Sequence, residues 1–400
     1  MNDQQNRTEP LLATKLYIPP VRPNLVSRPQ LLDRLSAAIE AGCKLILVSA
    51  PAGFGKTTLL CQWIHTDGIS SGIPVGWLSL DASDSDLSRF LTYLILALQA
   101  VDPAIGQSLP SALQGPQPPP VESLLTILIN DLSALPDTPS LLILDDYHTV
   151  KASSVHQALG FLLEHLPPQV HLVVASRSDP PLPLARLRGR GQLFELRIED
   201  LRFDTAQATV LLNQASTNPL SLEQAAQLAA RTEGWITGLQ LAALSLQGRD
   251  AEYRSRFVKD FTGSNRFILD YLMEEVLNRE SEPIQSFLFQ TSILDRMNGD
   301  LCDSVLERQQ SQAVLEKLER ENLFIVPLDA QRRWYRYHRL FADLLRSKLG
   351  YEPAVPLHRR ASLWYEQHGL FTEAVQHAVT SGDFERAADL VQARAMPMLM

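Results

Sequence analysis

The residues best suited to chemistry lie at 45–60, LILVSAPAGFGKTTLL. The uniformly apolar start predicts a parallel strand covered on both faces, delivering a glycine-broken loop and a helix start to one end of a sheet. In that loop Gly53 and Gly55 let the backbone curl until successive amides point inward. With the positive end of the following helix, such amides cradle phosphates. Lys56 is spaced to reach β- and γ-phosphates as a mobile point charge, and the Thr57 hydroxyl to complete the shell of a Mg2+ ion. The predicted binding segment is Ala50, Gly53, Phe54, Gly55, Lys56, Thr57 and Thr58. Ala50 stands where the pattern ordinarily begins with glycine, a position that needs a small residue more than a positive φ. The segment implies ATP or GTP. A glycine-rich turn with an incidental lysine is the plainer alternative, and the buried strand in front of it argues against that.

A second run, SLLILDD at 140–146, reads as an apolar strand ending in two carboxylates, Asp145 and Asp146. Beside a phosphate cradle, the first carboxylate joins Thr57 in holding the metal shell, and the second orients or deprotonates an attacking water. Taken alone, such an ending is an ordinary loop start; its pairing with the glycine loop gives it meaning. The next strand-like run, VHLVVASR at 170–177, ends in Arg177, which at a strand tip can contact a γ-phosphate. Asp145, Asp146 and Arg177 are therefore the catalytic candidates. Arg186, Arg188 and Arg190 invite a nucleic-acid reading, but arginines interleaved with leucine and glycine beside a strand are more often a solvated face.

The elements that must position these residues follow an α/β pattern. Strand-like runs at 75–80, 140–146, 170–177 and 192–197 alternate with helical stretches, which predicts a mainly parallel sheet. A proline-rich run from Leu109 to Val121 is expected to be a surface loop. From about Phe203 the strands give way to helices, including a stretch over 225–246 with apolar residues at three- and four-residue intervals. Near 323–338 two strand-like segments flank Ala330, Gln331 and Arg332, a hairpin after helices that suggests a winged helix. GLFTEAV (369–375) and GDFERAA (382–388) share a Gly-x-Phe-x-x-Ala pattern, as tandem helical hairpins do. The expected order is an N-terminal arm (1–25), a P-loop nucleotide-binding domain (26–202), an all-α helical domain (203–265), a winged-helix-like domain (266–350) and the start of TPR-like helical repeats (355–400). Because such repeats need about three units to be stable, the chain is expected to be the front part of a longer protein.

Composition narrows the classes. The chain has 400 residues, 45% apolar and 20% charged, with a net charge of −9. That suits a soluble multidomain protein and argues against duplex nucleic acid as main partner. Cys43, Cys61 and Cys302 lack metal-ligand spacing and make no disulfide framework, and no apolar run would span a bilayer, so a cytoplasmic location is expected. There is no nucleophile elbow, no His-Glu-x-x-His and no guanine-reading Asn-Lys-x-Asp.

With these residues in view, the sequence resembles the MalT-like group of STAND signal-transduction ATPases, commonly large LuxR-type transcriptional regulators. The likeness rests on LLATKLYIPPVRPNLVSRPQLLDRL, SAPAGFGKTT, ILDDYH, ASRSDPPLPLARLR, TEGWITGLQLAALSL and YHRLFADLLR, and covers essentially the whole chain. It implies adenine rather than guanine and a switch in which ADP holds the domains resting. ATP with an inducer, a ligand or protein the sequence does not identify, opens them and promotes self-association, and slow hydrolysis resets them. DNA contact would belong to a C-terminal helix-turn-helix not recognisable here. The resemblance also assigns Arg28 to the nucleotide, beside Ser27 where relatives often have glycine, makes Arg177 the γ-phosphate sensor, and places His338 near the β-phosphate. The Gly-x-Pro that touches adenine in related ATPases is represented by Gly234-Trp235 and Gly238-Leu239 without the proline. Two other readings stay open: a P-loop motor or chaperone that turns over ATP continuously, and an interaction scaffold with a fixed nucleotide.

Overall fold

The computed structural model describes residues 11–21, 25–66, 69, 72–109, 119–214 and 219–395. Residues 110–118 of the proline-rich run, and residues 1–10 and 22–24 of the expected arm, lie outside the described residues. The chain forms two compact units: Met1–Ala50 with Gly55–Leu201, and Pro51–Phe54 with Arg202–Met400.

The first unit is built on a five-stranded sheet, β1 (Leu45–Ser49), β2 (Val75–Ser79), β3 (Ser140–Asp145), β4 (Val170–Ser176) and β5 (Leu193–Leu196), in the order β2-β3-β4-β1-β5. Every pairing is parallel. All residues of β1, β3 and β4 are buried, as expected of strands with helices on both faces. The covering helices include α1 (Pro29–Glu40), α2 (Lys56–Ile64), α3 (Leu87–Gln99), α4 (Val121–Ser133) and α5 (Ser153–His165). Leucines and aromatics of α3, α4 and α5, among them Phe90, Leu128 and Leu159, join Leu47, Leu144 and Val174 in one core. Burying apolar surface of this kind stabilises by roughly 25 cal/mol per Å². The order has a functional consequence: β4 lies between β1 and β3, so the carboxyl ends of the three strands that carry the candidate residues stand side by side.

The N-terminal segment is fastened to this unit by a buried charge. Lys15, in the short turn Ala13–Leu16, places its ammonium 2.6 Å from Asp84 and 2.7 Å from Asp81, and over the Tyr93 ring.

Among the described residues, the regular structure of the second unit is helical apart from one hairpin. Its first helices are Thr205–Gln214, Leu222–Thr232, Ile236–Leu246 and Ala251–Asp260. The periodic stretch read at 225–246 is therefore two helices, not one. Glu233 (φ +49°) and Gly234 (φ +72°) both adopt the left-handed conformation and break it. Added bulk at Gly234 would meet the Phe203 carbonyl oxygen at 2.5 Å, so that position needs glycine. Helices Glu282–Thr291, Gly299–Leu306 and Ser311–Arg320 precede the antiparallel hairpin β6 (Ile325–Pro327) and β7 (Tyr335–Tyr337), and a bridge from Met297 to Tyr335 adds a third edge. That is the winged-helix arrangement. Helices Arg339–Leu349, Tyr351–Gln367, Phe371–Thr380 and Phe384–Ala395 complete the unit. Among the described residues, no helix is long and apolar enough to cross a membrane.

Candidate functional site

In the first unit, β1 runs into Ala50, which is fully buried and accepts a 2.8 Å hydrogen bond from Lys56 Nζ on its carbonyl oxygen. Gly55 (φ +75°) turns the chain into α2 at a conformation that suits glycine. The first helical residues are Lys56, Thr57 and Thr58, the latter two half-buried. Thr57 Oγ1 donates to the carboxylate of Asp145, 2.9 Å from Oδ2, although the two residues are 88 positions apart. The Asp146 amide donates to Asp145 Oδ1 at 3.0 Å. The sequence-predicted pair, the helix threonine and the strand-end aspartate, is thus in contact.

The electrostatics of this cluster are unsettled in an informative way. Burial first and the Asp146 charge second push the Asp145 carboxyl up to about 6, the bonds from Thr57 and the Asp146 amide and the Lys56 charge opposing them only in part. Burial likewise lowers Lys56 to about 8, with Arg177 adding to the effect and Asp146 and Asp145 opposing it. An anion beside Lys56 and Arg177, and a divalent cation beside Asp145, would each relieve a cost the folded chain carries. The donors fit Mg2+: a hydroxyl and a carboxylate, both hard oxygens already adjacent. Asp146 sits in the left-handed region (φ +55°) with its side chain half exposed and Oδ1 3.8 Å from His148 Nδ1. Arg177 follows β4, beside the charge of Lys56. A network without any signal in the sequence adjoins β1 and β4: Ser49 Oγ donates to Asp179, which pairs with Arg197, itself paired with Glu195.

Arg28 is buried, and its Nη1 and Nη2 donate to the carbonyls of Leu201 (2.8 Å) and Asp200 (2.7 Å). Arg186 and Arg188 pair with Glu164 and Glu195 at 2.9 Å on an exposed face, the solvated arrangement the sequence suggested.

In the second unit, the loop segment Pro51–Phe54 meets the start of helix Ile236–Leu246. Trp235 Nε1 donates to Ala52 O (3.0 Å), and Thr237 donates to Gly53 O through both its backbone N (3.0 Å) and its Oγ1 (3.1 Å). Phe54 is fully buried against Phe324. His338 is 1% exposed, flanked edge-on by Trp235 and Phe324, with Nε2 2.9 Å from the Thr232 carbonyl oxygen. Burial holds its imidazole down at about 4, so it is neutral at physiological pH. Trp235 and Thr237 were missed as loop partners; the flanking Gly234 and Gly238 were their only trace in the sequence.

Glu233, also unanticipated, accepts both Nη atoms of Arg336 (2.8 and 2.7 Å) and the Arg339 amide (3.0 Å). Burial opposes its ionised form, but the Arg336 fork, the charge that His338 gains once it is protonated in acid, and the Arg339 amide outweigh this and hold it at about 2. A depressed carboxyl contributes stability above its unfolded value near 4.3 that is lost as pH falls toward 2. Glu233→Gln is expected to cost on the order of 3 kcal/mol at neutral pH, with the difference from the parent vanishing near pH 2 in denaturant titrations.

Residues 273–357 match the MalT winged helix domain family. The serine/threonine-protein kinase PknK of Mycobacterium tuberculosis is 36% identical over 390 residues, covering 96% of this chain and 34% of that protein. The HTH-type transcriptional regulator MalT of Yersinia pestis is 35% identical over 385 residues, covering 95% of this chain and 42% of that protein. The chain thus spans well under half the length of these relatives. Among solved structures, a Walker-type ATPase of Pyrococcus abyssi superposes with a TM-score of 0.52 at 14% identity, covering 82% of this chain and 98% of that one, a likeness of fold.

Proposed function

Because the chain belongs to the MalT-like group of STAND ATPases, we propose that it binds ATP and ADP with Mg2+ at residues 50–58 and serves as the nucleotide-controlled switch of a transcriptional regulator. The observation that carries this reading is the contact of Thr57 with Asp145 beside the desolvated Lys56. On this reading Lys56 Nζ exchanges the Ala50 carbonyl for phosphate oxygens. Its depressed basicity reflects the cost of a buried positive charge, which an anion beside it would offset. Thr57 Oγ1 and Asp145 hold the metal, which when bound neutralises phosphate charge. Asp146 orients the attacking water, and Arg177 meets the γ-phosphate. His338 keeps the β-phosphate assignment the resemblance gave it, and the adenine preference rests on the same resemblance.

Conversion of nucleotide chemistry into a switch requires that ATP and ADP favour different arrangements of the chain, because a ligand shifts an equilibrium only by its differential affinity. Self-association with ATP is the expected output. Size-exclusion chromatography should give a larger species with Mg2+ and a non-hydrolysable ATP analogue than with ADP; identical elution in both would remove the switch. Turnover separates the remaining readings. A switch hydrolyses well below the enzyme median of about 10 per second, a motor sustains or exceeds that, and a scaffold keeps its nucleotide intact.

A further inference from the structure

Resting on the nucleotide-binding reading above, we propose that Trp235 and Thr237 are positioning residues that aim the phosphate-cradling amides of the loop without touching the nucleotide themselves. In a planar trans peptide the carbonyl of one residue and the N–H of the next point in opposite directions, and no peptide in the described chain is cis. Capture of the Ala52 oxygen by Trp235 Nε1 therefore directs the Gly53 N–H the opposite way. Capture of the Gly53 oxygen by the Thr237 amide and hydroxyl does the same for the Phe54 N–H. Three donors on two consecutive carbonyls leave that stretch of loop no rotational freedom.

The joint is built to be rigid. Trp235 is fully buried, with its ring wedged edge-on against Phe324 (5.4 Å between centroids) and tilted over Tyr271 (5.6 Å), so its Nε1 cannot swing away. Two glycines make room for it. A Cβ on Gly238 would lie 2.5 Å from the indole, and a Cβ on Gly53 would lie 2.5 Å from Thr237 Oγ1 and 2.7 Å from Trp235 Nε1. Gly53 is also at φ +78°, so bulk and backbone both require glycine there. The grip serves the helix too. Trp235, the residue that opens helix Ile236–Leu246, offers no side-chain cap, and the Thr237 amide is one of the first-turn donors a helix cannot satisfy internally. The loop carbonyl satisfies it. Because nucleotide and helix hold opposite sides of the same peptides, each strengthens the other's hold, and the coupling is reciprocal.

The test uses the full chain. Affinity for Mg·ADP is titrated for the parent, Thr237→Val, Trp235→Phe and Thr237→Ser, and each is melted without nucleotide. Thr237→Val keeps shape and the backbone bond but loses the hydroxyl donor; Trp235→Phe loses the indole donor. Removing one such bond should weaken binding about 3- to 10-fold, and Thr237→Ser should restore it to within about twofold of the parent. Parent and both variants binding equally well would overturn the inference. So would weakening that merely tracks a fall in the nucleotide-free melting temperature and is not rescued by serine, because the residues would then only cap the helix. A parent that binds no nucleotide would instead overturn the functional reading on which the inference rests.

Discussion

Lys56→Ala is expected to abolish nucleotide binding, with a loss of about 100-fold or more in affinity for Mg·ATP, since a charge-assisted contact to phosphate disappears from a buried site. The same residue is predicted to be a burden on the nucleotide-free fold. Its ammonium is desolvated, lies near Arg177, and is lowered to about 8. A base depressed in the folded state is most costly while pH stays below that value, and the cost fades as pH rises from about 8 toward the unfolded value near 10.4. Lys56→Met, which keeps the apolar stem, should therefore melt no lower than the parent at pH 7 without nucleotide. Calorimetric titration checks the first half and thermal melting the second. A residue held only for packing would show the reverse pattern.

Asp145→Asn carries the second large effect and its sign is unusual. Mg2+-dependent hydrolysis should fall by about two orders of magnitude or more, because the metal loses its anionic ligand. The nucleotide-free protein should become more stable. Burial, first, and Asp146, second, raise the Asp145 carboxyl to about 6. The folded state then binds this proton more tightly than the unfolded state. Stability from this group is fully present below about pH 4, is lost as pH climbs to about 6, and is flat above. Asparagine removes that dependence. At pH 7 the variant should gain up to about 3 kcal/mol over the parent without Mg2+, and the gain should shrink when Mg·ADP is added to both. Stability given up for a ligand is what a binding site shows; a structural aspartate would be missed when removed. Unchanged stability with full activity in the variant would show that Asp145 holds no metal.

Much of the first unit was legible because its signals are local. LILV, LLIL and VHLVVAS are too apolar to be anything but buried strands, and SAPAGFGKTT follows the first of them with the spacing the chemistry needs. Strand order was not legible, since equally apolar strands carry no mark of their neighbours. The placement of β4 between β1 and β3, which sets the strand end that precedes Arg177 between those that lead to the glycine loop and to Asp145, came only with the fold. In the second unit the hairpin around Ala330 was visible from strand-like runs flanking a turn. The break at Glu233 was not, because apolar residues keep helical spacing straight through it, and glutamate gives no warning of a left-handed conformation. Trp235 reads as an ordinary core aromatic. Its partner Ala52 lies 183 positions away, and nothing local foretells a pairing at that distance. Arg28 was marked by the resemblance alone, and the carbonyls it holds at Asp200 and Leu201 are equally remote in sequence.

The most direct measurement is a calorimetric titration of the unsubstituted chain, freed of nucleotide, with ATP in the presence and absence of Mg2+. Saturable binding at one nucleotide per chain, tightened by Mg2+, is the predicted result. No saturable heat at millimolar ATP, or binding indifferent to Mg2+, would contradict the assignment of Lys56, Thr57 and Asp145 to a polyphosphate and its metal.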